Sequence, residues 1–169
     1  KAIMDSGKLV PDDVVIGIIA DRIGEPDAQT GFILDGFPRT LAQASALEQL
    51  LARMGRRLDA VIEMRVDDEE LIRRISGRFT CGKCGESYHD TARKPAKAGV
   101  CDRCGSSDFK RRADDNAETL RTRLLAYYKE TAPLIGYYFC KGNLSTIDGM
   151  AEVAEVASEI DRIIDAAKA

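Results

Sequence analysis

The stretch Phe32-Ile33-Leu34-Asp35-Gly36-Phe37-Pro38-Arg39-Thr40 decides how the rest of the chain is read. Three apolar residues form a run long enough for a short buried strand, and an acid, a glycine, a proline and an arginine follow at once. Thr40 then stands ahead of Leu41, Ala44, Leu47, Leu51 and Met54, whose spacing predicts a helix capped by the threonine hydroxyl. Strand, Gly-Pro turn and helix in that order put Asp35 and Arg39 at the carboxyl end of a strand, where open α/β sheets bind ligands. An arginine there can grip phosphate oxygens with two parallel donors, and a carboxylate can orient the water shell of Mg²⁺. The same five residues also suit an ordinary surface turn.

Working outward, Pro11, Asp12 and Asp13 read as the first turn of a helix whose apolar face is Val14, Val15, Ile18, Ile19 and Ile23. Leu58 to Val66 reads as a second strand, and Asp67 to Gly77 as a helix led by four acids. Further on, Asp115 and Glu118 fit a capping box before Leu120, Leu124 and Leu125, and Pro133 should kink or divide that helix. Leu144 to Ile147 is a third strand, and Val153, Val156, Ile160, Ile163 and Ile164 mark a last amphipathic helix. Strands alternating with helices argue for an α/β domain with a parallel sheet.

Between Arg78 and Arg112 the composition changes. Aliphatic residues nearly vanish, so the segment is not expected to build its own hydrophobic core and needs another source of order. Cys81-x2-Cys84 and Cys101-x2-Cys104 supply it. Each pair is followed by a glycine, Gly85 and Gly105, as a tight knuckle requires. Four thiolates suit a structural zinc ion with no open coordination position, and iron fits the same cage. His89, the only histidine, is not needed to complete it, and Cys140 reads as a buried spectator.

The 169 residues carry 25 Lys and Arg against 28 Asp and Glu, a net charge of −3. That balance argues against a protein dominated by non-specific nucleic-acid binding, and no run is long and apolar enough for a membrane span. The insert is the exception, with nine basic residues against four acidic ones. Arg74 and Arg78 lie four apart at its start, while Arg112, Asp114, Asp115, Arg121 and Arg123 surround its end. Arginines beside both joints are what a lid closing on phosphate groups would carry, although a solvated charged surface has the same composition.

Taken together, these motifs resemble the adenylate kinase family in its long bacterial form with a four-cysteine zinc lid. The resemblance rests on Lys8-Leu9-Val10, Asp35 to Thr40, Arg74-Ile75-Ser76-Gly77-Arg78, the cysteines, Arg112-Ala113-Asp114-Asp115-Asn116, Glu118-Thr119 with Arg121 and Arg123, and Thr131 to Ile135. It implies a P-loop nucleoside-monophosphate-kinase fold, a parallel sheet flanked by helices with a small zinc-ribbon lid. It also implies transfer of a phosphoryl group from ATP to AMP, giving two ADP, with Mg²⁺ accompanying ATP. On the AMP side it implies Lys8, Leu9, Val10, Gly36, Phe37, Pro38, Arg39, Gln43 against adenine, Arg112 and Arg123. On the ATP side it implies Arg78, Ser87, Tyr88 and the backbone near Ala151. Arg39, Arg74, Arg78, Arg112 and Arg123 would carry the chemistry, with Asp35 orienting the Mg²⁺ water shell and Asp114 and Asp115 as lid-hinge acids. Residues 1–10 would belong to the AMP-binding domain, 11–77 and 115–169 to the core, and 78–114 to the lid. A cytoplasmic monomer binding free nucleotides, with no nucleic-acid or membrane partner, completes that expectation.

The sequence contains no G-x-x-x-x-G-K-[ST] loop. Against the family pattern roughly fifty residues, including the first strands, would precede Lys1. The 169 residues alone are therefore expected to be poorly stable and to lack normal kinase activity. The competing readings are a non-catalytic zinc-binding interaction module and an RNA-binding zinc ribbon.

Overall fold

A computed structural model describes residues 11–168. The chain forms two compact units, one made of the residues up to Arg65 together with those from Leu125 onward, the other of Val66–Leu124.

In the first unit, helix α1 (Asp12–Gly24) starts immediately after Pro11, with Asp12 and Asp13 in its first turn and Arg22 in its last, both matched to the helix dipole. Ile23 is buried and Ile19 packs beside it, whereas Val14 and Ile18 are exposed. Helix α2 (Leu41–Arg53) is capped as expected: the Thr40 hydroxyl accepts the backbone N–H of Gln43 at 3.1 Å. Ala44, Leu47 and Leu51 are the buried centre of its apolar stripe, and Leu41 and Met54 at its ends are exposed. Ile23, Leu47 and Leu51 form one core cluster, with Phe32, Leu34 and Phe37 against it. Full burial of each such aliphatic side chain stabilises by about 1.5–3 kcal/mol.

Phe32–Leu34 is not a strand. It is extended but pairs with no strand among the described residues. Alternation still operates: Phe32 and Leu34 turn toward the core cluster while Ile33 stays 85% exposed. An apolar run carries the side-chain pattern of a strand, but a ladder needs a partner backbone, which the run does not encode.

Strand β1 (Val61–Arg65) pairs in parallel with β5 (Leu144–Asp148), Val61 opposite Leu144 and Arg65 opposite Asp148. Val61 and Leu144 pack on Ala44, Leu134 and Tyr138, so helices cover this parallel pair. The helix before β5 is divided as Pro133 requires. Helix α4 (Ala117–Ala126) gives way to a π-helical turn over Tyr127–Thr131, and α5 (Pro133–Lys141) restarts with the proline in its first turn. Gly142, at φ 75°, ends α5. Leu134 and Tyr138 form the inward face of α5, which leaves Cys140 on the far side. Cys140 is thus exposed, not buried. Helix α6 (Val153–Lys168) completes the unit.

In the second unit, helix α3 (Asp68–Ser76) is capped by Asp67, whose carboxylate accepts the Glu70 N–H at 2.9 Å. It ends before Gly77, so Arg74 and Arg78 do not share a helix face. Arg78 instead opens strand β2 (Arg78–Cys81), the centre of an antiparallel sheet with β3 (Ser87–His89) and β4 (Phe109–Lys110). The unit has a small core after all, and it is aromatic. Phe79, Tyr88 and Phe109 meet at ring-centroid distances of 5.4–5.7 Å around Cys81 and Cys101.

Candidate active site and metal centre

The two Cys-x-x-Cys segments fold identically. Gly85 N–H donates to the Cys81 carbonyl at 2.9 Å and Gly105 N–H to that of Cys101 at 2.8 Å. The same two glycines sit at φ 76° and 70°, a region other residues enter only with strain. The four sulfurs lie within 4.8 Å of one another, with Cys81 to Cys104 at 3.5 Å and Cys84 to Cys101 at 3.6 Å. A tetrahedron of zinc–sulfur bonds of about 2.3 Å sets its corners roughly 3.8 Å apart, so this cage can hold a zinc ion. The Tyr88 hydroxyl donates to Cys101 Sγ at 3.4 Å and draws that thiol down to about 6, while its own pKa is pushed up to about 12. Backbone N–H groups of Cys84 and Lys83 likewise lower Cys81. His89 lies outside the cage. Its Nδ1 accepts the N–H groups of Thr91 and Ala92, each at 3.1 Å, so Nε2 carries the proton and donates to the Arg73 carbonyl at 3.2 Å. The ring lies across Gly77, where a Cβ would come within 2.3 Å of Nε2.

Three of the candidate arginines of this unit are held by carboxylates. Arg78 makes a two-pronged contact with Asp115, at 3.0–3.2 Å, and the Asp115 side chain is only 3% exposed. Arg123 pairs with Asp114 at 3.2 Å, and Arg74 with Glu70 at 2.9 Å. The Arg74 hydrogen bond holds the Glu70 carboxyl below its ordinary value. Because Asp115 is committed to Arg78, the cap of α4 falls to Asn116, whose side-chain oxygen accepts the Thr119 N–H at 2.9 Å. Arg112 is exposed and forms no ion pair among the described residues. Ser87 is exposed, whereas the Tyr88 side chain is buried against the cysteines and its backbone lies opposite Phe79 in the β2–β3 ladder.

In the other unit, Gly36 turns at φ 69° and Arg39 folds back so that its Nε donates to the Gly36 carbonyl at 2.7 Å. A Cβ on Gly36 would sit 3.0 Å from the guanidinium, so the glycine makes both the turn and the close approach possible. The Arg39 backbone is gripped at both ends. Gln43 Oε1 accepts its N–H at 2.7 Å, and the Thr131 hydroxyl donates to its carbonyl at 2.8 Å. Asp35 is exposed and unpaired among the described residues, which suits a carboxylate that meets a hydrated cation through water. Ala151 lines a groove of about 520 Å³ with Asp148, Glu155 and Glu159. Those carboxylates favour an uncharged ring over a phosphate there. Lys8, Leu9 and Val10 lie outside the described residues.

Sequence reading missed three groups: Asp12, which reaches the Gln43 amide; Thr131 as a support for Arg39; and Glu70 as the partner of Arg74. Only the last left a sequence signal, a Glu four residues ahead of an Arg on a helix.

A family model described as adenylate kinase matches residues 1–143. The adenylate kinase of Rhizobium etli (strain CIAT 652) is 59% identical over 164 residues, which are 97% of this chain and 76% of that protein. That of Paracoccus denitrificans (strain Pd 1222) is 59% identical over 96% of this chain and 74% of its own length. That of Magnetococcus marinus (strain ATCC BAA-1437 / JCM 17883 / MC-1) is 53% identical over 97% and 76%.

Proposed function

This chain belongs to the adenylate kinase family of nucleoside-monophosphate kinases, and from that premise we propose that it transfers the γ-phosphoryl group of ATP reversibly to AMP, giving two ADP. An AMP phosphate oxygen attacks the γ-phosphorus, and the bond to the β,γ-bridging oxygen breaks with its electron pair leaving on ADP. The attacking oxygen is already anionic at neutral pH, so no strong base is needed, and positioning and charge neutralisation carry the step.

The observation that carries this reading is the set of arginines already held in place: Arg78 by Asp115, Arg123 by Asp114, Arg74 by Glu70 and Arg39 across Gly36. A guanidinium fixed along one edge keeps its remaining N–H donors for phosphate oxygens, at little further cost in side-chain entropy. Arg39 and Gln43 hold AMP by its phosphate and base, with Gly36, Phe37 and Pro38 shaping the turn and Lys8, Leu9 and Val10 adding to that side. Arg78, Ser87, Tyr88 and the backbone near Ala151 receive ATP. Arg74, Arg112 and Arg123 neutralise the phosphoryl group in transit. Mg²⁺ bound with ATP would add further charge neutralisation, and Asp35 is the residue that would orient its water shell. The cysteine cage is structural and holds zinc. The protein works as a cytoplasmic monomer on free nucleotides, without nucleic acid.

The test is ADP formation from ATP, Mg²⁺ and AMP by the full-length protein that carries these residues. Two ADP per AMP are expected, and Arg123→Ala should lower kcat by about 10²-fold or more. An unchanged kcat would overturn the assignment. The 169-residue polypeptide alone, which contains no G-x-x-x-x-G-K-[ST], should turn over little in the same assay.

A further inference from the structure

We propose that Asp12 sets which nucleobase the AMP side accepts, by locking the side-chain amide of Gln43 in one of its two orientations. The inference rests on the reading above that Gln43 meets the base of the monophosphate nucleotide.

A glutamine amide turned over by 180° keeps its shape and exchanges its donor for its acceptor. A free Gln43 could therefore match adenine, which offers its N6 amino donor beside a ring-nitrogen acceptor. Turned over, it could equally match a 6-oxopurine, which offers an O6 acceptor beside an N1–H donor. The base pocket discriminates only if something decides the orientation of the amide.

Two neighbours decide it. Gln43 Oε1 accepts the Arg39 backbone N–H at 2.7 Å, and Gln43 Nε2 donates to Asp12 Oδ1 at 2.7 Å. A backbone N–H can only donate and an ionised carboxylate can only accept, so the assignment of oxygen and nitrogen is unambiguous. Turning the amide over would set NH₂ against N–H and carbonyl against carboxylate, at a residue only 3% exposed, where water cannot repair the mismatch. Asp12 is itself steadied. The Thr40 hydroxyl lies 3.4 Å from Oδ2 as donor, while the same hydroxyl accepts the Gln43 N–H at 3.1 Å. The locked amide keeps one oxygen lone pair and one N–H for a ligand, the pair that complements adenine. A 6-oxopurine would meet acceptor with acceptor and donor with donor. Asp12 heads α1 and lies 31 residues from Gln43, so it is a positioning residue that acts through Gln43 without touching the nucleotide.

The experiment measures dissociation constants of AMP and inosine monophosphate for the full-length protein that carries these residues. Inosine monophosphate differs from AMP in carrying O6 and N1–H, and it lacks the 2-amino group that would add bulk. The variants are Asp12→Asn, Asp12→Ser, Gln43→Ala and the Asp12→Asn/Gln43→Ala double. The wild type should prefer AMP. Asp12→Asn keeps the shape but can donate or accept, so the AMP-to-inosine preference should fall by about tenfold or more. Asp12→Ser should do the same, Gln43→Ala should abolish most of the preference, and the double variant should lose no more than Gln43→Ala alone. If Gln43→Ala collapses the preference while both Asp12 variants keep it, Asp12 is no lock and the proposal is overturned. It is equally overturned if the Asp12 variants weaken both nucleotides by the same factor, the mark of a purely structural tie between helices. If Gln43→Ala itself leaves the preference intact, the premise that Gln43 meets the base falls, and the proposal falls with it.

Discussion

The two units are ordered by different physics. Within residues 66–124, the β2–β4 sheet and the two knuckles close around four thiols and three aromatic rings. The other unit closes around Ile23, Leu47, Leu51, Ala44, Leu134 and Tyr138, beneath a parallel strand pair. The contrast teaches that a segment too poor in aliphatic residues to bury a core can still present arginines in fixed geometry. It needs only knuckles that set the backbone and carboxylates that set the guanidinium groups. Arg78 and Arg123 are steadied by side-chain acids, whereas Arg39 is steadied by one backbone carbonyl, an amide and a hydroxyl on a conventional core.

The comparison can be broken most forcefully at the cage. Removing the metal with a chelator, or Cys101→Ser, should unfold residues 66–124, because a structural zinc contributes on the order of 10 kcal/mol of folding free energy. Hydrogen exchange should show protection lost in β2–β4 and kept in α2. Equal loss in both units would mean that they share one source of order.

The reciprocal change is Leu47→Ala. Leu47 is fully buried, so the variant should cost about 2–5 kcal/mol in its own unit and leave protection in β2–β4 in place. Urea melts read by hydrogen exchange would check it.

A smaller effect sharpens the electrostatic side. The Arg111 hydrogen bond holds the Asp90 carboxyl below its ordinary value of 3.8. A depressed acid contributes stability that is complete above its unfolded pKa and lost as pH falls through the folded one. Arg111→Gln should therefore lower Tm at pH 7, by at most about 2 °C since the pair is exposed, and that difference should shrink as pH falls below 3.8 and vanish once Asp90 is protonated in the folded protein. A Tm difference that persists at low pH would assign the effect to the stacking of Arg111 on Phe79.

Much of this was legible beforehand wherever a local rule governs. The Thr40 cap, the break at Pro133 and the cysteine knuckles each follow from residues within a few positions of one another. The failures come where a distant partner intervenes. Asp115 looked like a helix cap until Arg78, 37 residues away, claimed it. Phe32–Leu34 looked like a strand because the pattern encodes faces and not ladders. The aromatic core of the insert escaped notice because three single aromatics, far apart in sequence, carry no periodicity. Candidate site residues were legible as residue types, but their supports, Asp12 and Thr131, were not. A hydrogen bond across 31 or 92 residues leaves no trace in spacing.

The central claim is that Arg39 serves AMP and Arg78 serves ATP, and KM measured separately for each substrate tests it most directly. Arg39→Ala should raise KM for AMP by about tenfold or more and leave KM for ATP nearly unchanged, while Arg78→Ala should do the reverse. Both variants acting on the same nucleotide, or each raising both constants alike, would contradict the account.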